Sequence, residues 1–183
     1  MINIPKIKRP KKDIIEKIKN LGSATVSGTL YGMGISNPFI MGPTTKTPGK
    51  SVAGPAITLQ FLPKREDIYN EDEYSDPELQ LHRHALYQTE PGDIVVVDAM
   101  GDMTSGVFGE MMLTFFQGRG GAGVVIDGCI RDYVHAQDLE IGMWLKGVTP
   151  NFHTQTNKYP HAVNVPISCG GTLVMPGDII VAD

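Results

Sequence analysis

Two runs of β-branched residues, Ile94–Val97 and Val124–Ile126, show no alternation of apolar and polar positions. A strand with one face in water alternates, so an unbroken apolar run describes a strand covered on both faces, the habit of parallel sheets flanked by other layers. "PGDIVVVDAMGD" enters the first run through a Pro-Gly-Asp turn, a loop "MGDMTSGV" follows, and "FGEMMLTFFQG" then reads as a helix. "RGGAG" turns the chain into the strand "VVID", and a second helix is predicted from Asp132 to about Leu139. Strand, helix, strand, helix is the signature of an α/β layered domain.

The flanking segments fit the same scheme. "PKIKRPKKDIIEKIKN" has helical spacing, and its lysines and arginines belong to a solvated helix face. "LGSATVSGTLYGMG" reads as a short helix capped by Ser23 or Thr25 and stopped by glycine. "GKSVAGPAITLQFLP" predicts a strand ended by Pro63, with an irregularity at Gly54-Pro55. Residues 64–78 form a polar, acidic excursion before the helix "PELQLHRHALYQTE". "GMWLKGV", "AVNVPISCGG" and "TLVMPGDIIVAD" follow as short strands. "PGDIVVVD" at 91–98 returns as "PGDIIVAD" at 176–183, which predicts two strands entered by the same turn, with Asp93 and Asp178 serving turn chemistry. A solenoid needs further copies of its unit.

The 183 residues suit a single domain, 1–183, and a net charge of −4 with 41% hydrophobic residues points away from disorder and from a general affinity for nucleic acid. No apolar run approaches the roughly 18 residues a bilayer span needs, and no signal-peptide core opens the chain, so a cytoplasmic protein without membrane contact is expected. Cys129 and Cys169 have no metal-type spacing and read as reduced core thiols. Gly118, Gly120 and Gly123 have dinucleotide-fingerprint spacing, but they close a helix and precede a strand, which reverses that motif's context. No nucleophile elbow surrounds Ser105, and no lysine lies at an apolar strand end.

Charged residues collect where the two buried strands run out. The first strand leads to Asp98, Asp102 and Glu110, the second to Asp127, Arg131 and Asp132. If the strands are neighbours, these groups gather at one edge of the sheet, where hard oxygen donors suit Mg²⁺ or Mn²⁺ and a guanidinium suits an anionic oxo-substrate. Spacing leaves a second reading open: Arg131 and Asp132 as a surface pair, with Asp132 at a helix N-terminus. His82 and His84, two apart on a helix, face different ways; His135 lies one turn beyond Arg131; His153 and His161 fall in a polar stretch.

Glu110 and Arg131 enclose twenty residues, and with "GVVIDGCIRD" they resemble the D/E-x20-R-D pattern of the class II pyruvate aldolases typified by 4-hydroxy-4-methyl-2-oxoglutarate aldolase. That superfamily includes the regulator of ribonuclease activity A. "SATVSGTL", "PGDIVVVDAMGD" and "VNVPISCGGTLVMPGDIIVAD" extend the resemblance over most of residues 20–183. It implies a swivelling β/β/α fold assembled as a homotrimer or homohexamer, with the active site between subunits. It also implies Asp132 as the direct ligand of Mg²⁺ or Mn²⁺, Glu110 acting through metal-bound water, Arg131 on the keto oxygen and enolate, and the backbone N–H groups of Met111 and Met112 on the substrate carboxylate. In the family the chain runs on past the segment matched by "VAD", so this domain is expected to end before the family's C-terminal extension.

The activity so implied is retro-aldol cleavage of 4-hydroxy-2-oxo acids, with decarboxylation of oxaloacetate at the same site, both yielding pyruvate through one enolate. The competing expectation is a non-catalytic protein-binding regulator of ribonuclease activity. Asp132 separates them, because that role needs no metal ligand there. A menaquinone methyltransferase is excluded, since no adenosylmethionine-type glycine loop follows an early strand.

Overall fold

The computed structural model describes residues 4–69 and 75–183. Among the described residues the main sheet has seven strands; β1 (Thr44–Thr45), β2 (Val52–Pro63), β3 (Ile94–Gly106), β4 (Gly123–Ile130), β5 (Gly142–Val148) and β6 (Lys158–Val163) follow the order β1-β5-β4-β3-β2-β6, and a last strand near the C-terminus pairs with the first half of β2. β2 to β5 run parallel and the edge strands β1 and β6 antiparallel. Each crossover from β2 to β5 steps one strand in the same direction. Because such connections are right-handed, the intervening helices α3 (Leu81–Tyr87), α4 (Glu110–Gly118) and α5 (Tyr133–Ala136) all fall on one face. There Ala85, Leu86, Leu113, Phe116 and Ala136 pack on Val95, Val97, Ile126 and Leu145.

The opposite face is covered by strands. The hairpin of β7 (Ile167–Cys169) and β8 (Thr172–Val174), with β9 (Ile179–Ala182), sets Ile167, Cys169, Val174 and Ile180 against Val96, Val125 and Trp144. Helix layer, sheet and strand layer make the β/β/α architecture the resemblance implies, and all eight residues of β4 are buried between the two covers.

The boundaries differ from expectation where backbone geometry intervenes. α1 begins at Lys12 and ends at Lys19, because Pro10 cannot continue a helix and constrains Arg9 before it. The helix α2 (Ser23–Gly32) has Gly22 rather than Ser23 or Thr25 as its cap; Ser23 instead donates its N–H and Oγ–H to the Asp183 carboxylate, at 2.8 and 2.5 Å. β2 passes Gly54-Pro55 without a break, exchanging β9 for β3 as partner, and its register shift falls at Gln60/Phe61. β3 absorbs the expected loop through register shifts around Asp102, helped by left-handed backbone at Met100 and Gly101. α5 is one turn long, since the chain must turn at once into β5, whose Gly142 N–H bonds Ala122. Of the acidic excursion, residues 70–74 lie outside the described residues; Arg65 and Asp67 pair on the surface, and Asp76 accepts from the Glu78 N–H.

The two Pro-Gly-Asp turns match: Asp93 accepts the Glu90 N–H and Asp178 the Met175 N–H, each at 2.8 Å. Asp93 does more than turn the chain. It is buried and takes Arg9 of the N-terminal segment at 2.7 Å, and this bond raises the Arg9 pKa against the opposing effect of burial. Cys129 and Cys169 are free, buried thiols, and burial pushes Cys169 up to about 12. Among the described residues no helix is long and apolar enough to cross a membrane.

Candidate active site

The strand ends divide the charged residues between the two faces. Asp98 and Asp127 stand opposite each other on β3 and β4, two residues beyond Val96 and Val125, and so share the strand-covered face. Lys146, two beyond Trp144 on β5, reaches the same place and pairs with Asp127 at 2.7 Å. Asp98 accepts the Met100 N–H, and burial raises its pKa. Asp102 holds its own loop: burial would raise its pKa, but hydrogen bonds from Ser105 and Thr104 outweigh it and leave the carboxyl low. The structure therefore does not gather all six charged groups at one edge.

Arg131 and Asp132 come together on the helix-covered side, against Gly109, whose chain neighbour is Glu110. Arg131 closes β4, its N–H bonded to the Phe108 carbonyl at 2.9 Å, which draws the end of β4 beside the start of α4. Asp132 follows with φ of 57°, a left-handed conformation that aspartate tolerates better than most residues, and its carbonyl accepts from His135 and Ala136 to start α5. Both side chains lie against Gly109, the residue before α4. A Cβ there would sit 2.6 Å from Asp132 Oδ2 and 2.9 Å from Arg131 Nε, so a larger residue would displace the two side chains from their present positions. The two charges are 3.4 Å apart, with side chains 38% and 44% exposed, so a surface ion pair contributes little stability here.

No side chain caps α4, so the N–H groups of its first turn, including those of Met111 and Met112, face outward with the positive end of the helix dipole. Glu110 accepts the Thr114 hydroxyl at 2.8 Å. Gly109, Met111, Met112 and Arg131 form one wall of a cavity of about 170 Å³. The opposite wall is Gln80, His82 and Arg83 from the start of α3, with Phe152 and His153. Phe152 lies under the Arg131 guanidinium, 5.7 Å from ring centre to Cζ, while Arg83 donates to Gln80 at 2.6 Å. The cavity thus has two guanidinium groups for an anion, Arg131 and Arg83, with the Phe152 ring under Arg131 and the imidazoles of His82 and His153 in the same lining.

That second wall is what sequence reading missed. His82 and His153 are 2% and 1% exposed, their ring centres 4.5 Å apart. Burial, then the nearby His153, Arg83 and His84, holds His82 well below the usual histidine range. A signal existed: His82 shares the spacing of the buried stripe of Ala85 and Leu86, three and four residues on. His84 faces away as expected and contacts the Glu78 carbonyl, while His135 and His161 are exposed and outside the cavity. Among the described residues no group of three or more His, Cys, Asp or Glu side chains converges as a metal cage. A hard cation held by one or two carboxylates and several waters needs no such cage.

The family model described as RraA-like, Aldolase/RraA, matches residues 23–183. A protein of Halalkalibacterium halodurans bearing the provisional name 4-hydroxy-4-methyl-2-oxoglutarate aldolase is 40% identical over 99 residues, 54% of this chain and 46% of that one. An Arabidopsis thaliana protein with the same provisional name, numbered 3, is 32% identical over 103 residues, 56% of this chain and 61% of that one. The matches thus span about half the length of these curated relatives. The crystal structure of Streptomyces coelicolor RraAS2, described as an unusual member of the RNase ES inhibitor RraA protein family, superposes with a TM-score of 0.87 at 37% identity, covering 96% of this chain and 83% of that one. With the pattern's acidic residue, arginine and aspartate brought to one glycine at the head of α4, and the family model matched from α2 to β9, the chain belongs to the RraA-like family, Aldolase/RraA.

Proposed function

We propose that the cleft at the head of α4 is the active site of a carbon–carbon lyase that releases pyruvate from 4-hydroxy-2-oxo acids and from oxaloacetate, using Mg²⁺ or Mn²⁺. The observation that carries this reading is the seating of Arg131 and Asp132 on Gly109, beside an uncapped helix N-terminus that opens on a cavity. Such a helix end offers amide donors to the substrate carboxylate, and the N–H groups of Met111 and Met112 are the candidates. Arg131, with a fixed fork of donors, meets the keto oxygen and stabilises the negative charge that grows there as the C3–C4 bond breaks. Phe152 stacks under the guanidinium and limits where it points.

The donor set fits a hard divalent cation: Asp132 would supply a half-exposed carboxylate and Glu110, the first residue of α4, a second oxygen donor acting through water. The space a Cβ on Gly109 would fill is the space in which the Asp132 carboxylate lies. When bound, the cation is a Lewis acid that draws electrons toward the keto oxygen. Asp132 anchors it from a strained backbone position, and Arg131 Nε, 3.4 Å from Asp132 Oδ2, keeps the guanidinium beside it.

The test is to supply oxaloacetate and 4-hydroxy-4-methyl-2-oxoglutarate with and without Mg²⁺ and to measure pyruvate. The reading expects pyruvate from at least one, lost with chelator and in Asp132→Ala. No pyruvate from either, or an undiminished Asp132→Ala, removes it. The second reading, a binding regulator of a ribonuclease, is favoured by the Streptomyces relative's similarity over nearly the whole chain. It takes over if the protein makes no pyruvate yet slows a ribonuclease E-type enzyme. A homotrimer or homohexamer is proposed with either reading. α2 buries no residue in its own chain, and Tyr31, Met33, Phe39 and Met41 around it are more than half exposed, an apolar surface suited to a second copy. Light scattering in solution decides the assembly size.

A further inference from the structure

The cleft carries more positive charge than the pyruvyl half of a substrate requires. Arg131 and the amides of α4 suffice for one carboxylate and one keto oxygen. Arg83 enters the same lining from α3, and none of the described residues that line the cavity of about 170 Å³ is an aspartate or glutamate. Asp132 stands beside Arg131 at 3.4 Å, whereas among the described residues no carboxylate pairs with Arg83.

We propose that Arg83 binds a second carboxylate at the far end of the substrate, so that the cleft selects 2-oxo diacids over 2-oxo monoacids of the same carbon skeleton. The inference rests on the reading of the cleft as a 2-oxo acid site and adds to it the residue that reads the departing half. Three observations carry it. Arg83 is partly exposed and lines the cavity, so a solute can reach it. Its Nε donates to Gln80 Oε1 at 2.6 Å, and Gln80 is itself 4% exposed, so the guanidinium is anchored along one edge. A guanidinium has five N–H donors in a fixed plane, and this bond uses one, which leaves both terminal amino groups for an anion.

Gln80 is the cap of α3 and Arg83 lies three residues on, the spacing that brings two side chains together on a helix. The anchor is therefore built into the element that carries the arginine. With the first carboxylate at the N–H groups of Met111 and Met112 and the keto oxygen at Arg131, the other end of the substrate must occupy the lining that remains, where Arg83 is the charged group. A carboxylate there takes charge-assisted bonds from Arg83 and offsets the repulsion of two cations in one small cavity. A methyl group in the same place makes no such bond and keeps water from the guanidinium.

2-Oxoglutarate and 2-oxopentanoate test this without turnover, because they share a carbon skeleton, lack the 4-hydroxyl and differ only in ending with a carboxylate or a methyl group. Titration calorimetry with Mg²⁺ present should find 2-oxoglutarate bound about tenfold more tightly, or better, by the wild-type protein, the usual advantage of a hydrogen bond to a charged group. Arg83→Gln should remove that preference and leave 2-oxopentanoate bound as before. Arg83→Lys, which keeps the charge without the fork, should restore part of it. Thermal melting shows whether each variant is folded, and Arg83→Met replaces Arg83→Gln if that one is not. Equal binding of the two acids by the wild-type protein, or a preference that survives in Arg83→Gln, overturns the proposal. So does an equal loss of both ligands in that variant, which makes Arg83 structural, and so does binding of neither acid. An Arg83-dependent preference in a protein that releases no pyruvate from oxaloacetate or 4-hydroxy-4-methyl-2-oxoglutarate upholds the subsite while the lyase reading fails.

Discussion

The sheet carries charged residues on both faces, and the two sets are treated oppositely. On the strand-covered face Asp127 is nearly buried and tied to Lys146 at 2.7 Å, with the Cys169 thiol sealed nearby. On the helix-covered face Arg131 and Asp132 are about two-fifths exposed and held at a looser 3.4 Å, and Arg131 lines a cavity beside open backbone amides. Charges that satisfy each other support a fold, whereas charges and donors left open to a cleft are available to a ligand. Substitutions on the two faces should accordingly separate stability from activity.

The largest expected effect is on the open face. Arg131→Ala should raise the barrier to pyruvate release by about 2.7–4 kcal/mol, hundreds-fold in kcat, the usual consequence of removing a donor to developing negative charge. Its unfolding free energy should change by no more than about 0.5 kcal/mol, because the pair is half exposed. Steady-state kinetics beside urea denaturation would show it, and a large loss of stability with intact turnover would reverse the comparison. Asp127→Asn is the mirror experiment. Breaking a buried pair commonly costs about 3–5 kcal/mol, and the lower end applies because Lys146 keeps partial access to water. Turnover per folded molecule should stay as it was.

Gly109→Ala tests the seat itself. The added methyl would meet Asp132 Oδ2 at 2.6 Å and Arg131 Nε at 2.9 Å, and the flexible side chains rather than the backbone must give way. A displaced cation ligand and guanidinium should lower kcat/KM by about tenfold or more, since misplacement of about an ångström is costly to catalysis. The helix should still form, because the extended N-cap backbone of Gly109 is one alanine adopts freely, at a capping cost of about 1 kcal/mol. Wild-type activity in this variant would detach the Arg131–Asp132 geometry from the chemistry.

These residues also mark how far the sequence could be read. The buried runs at 94–97 and 124–126 announced a layered parallel sheet, because an unbroken apolar run is the pattern of a strand covered on both sides. Gly109, Met111, Met112 and Arg131, which form the cleft's cationic wall, lie at strand and helix ends, where the chain order is also the spatial order. Its opposite wall pairs His82 with His153 across seventy-one positions, a contact set by how α3 crosses the sheet and by no local rule. The Asp183 carboxylate on Ser23 and the Arg9 clasp on Asp93 are likewise long-range, 160 and 84 residues apart, so a search for local caps and turns finds only one partner of each. The division of the six charged residues between two faces followed from side-chain alternation, which the sequence contained, but only once the register of β3 on β4 was known.

The smallest effect is a pH slope, and its sign follows from the burial of His82. In the unfolded chain this histidine titrates near its ordinary value of about 6.5, while in the fold burial and neighbouring positive groups hold it well below that. Above about pH 6.5 the ring is neutral in both states and contributes nothing to pH dependence. Below it the unfolded chain binds a proton that the fold refuses, so stability falls as the pH drops, by up to about 1.4 kcal/mol per pH unit. The carboxylates held low, Asp102 and Asp183, act in a separate window: their contribution is complete above about pH 4 and is lost only as the pH falls further. His82→Phe, with Phe61 already beside the site, should keep the aromatic packing and remove one proton's worth of slope between pH 6.5 and 5, leaving the slope below pH 4 in place. Urea denaturation at half-unit pH steps measures both windows. An identical slope in the variant would mean that His82 is reached by water in the fold, and the cleft would then have an open inner wall.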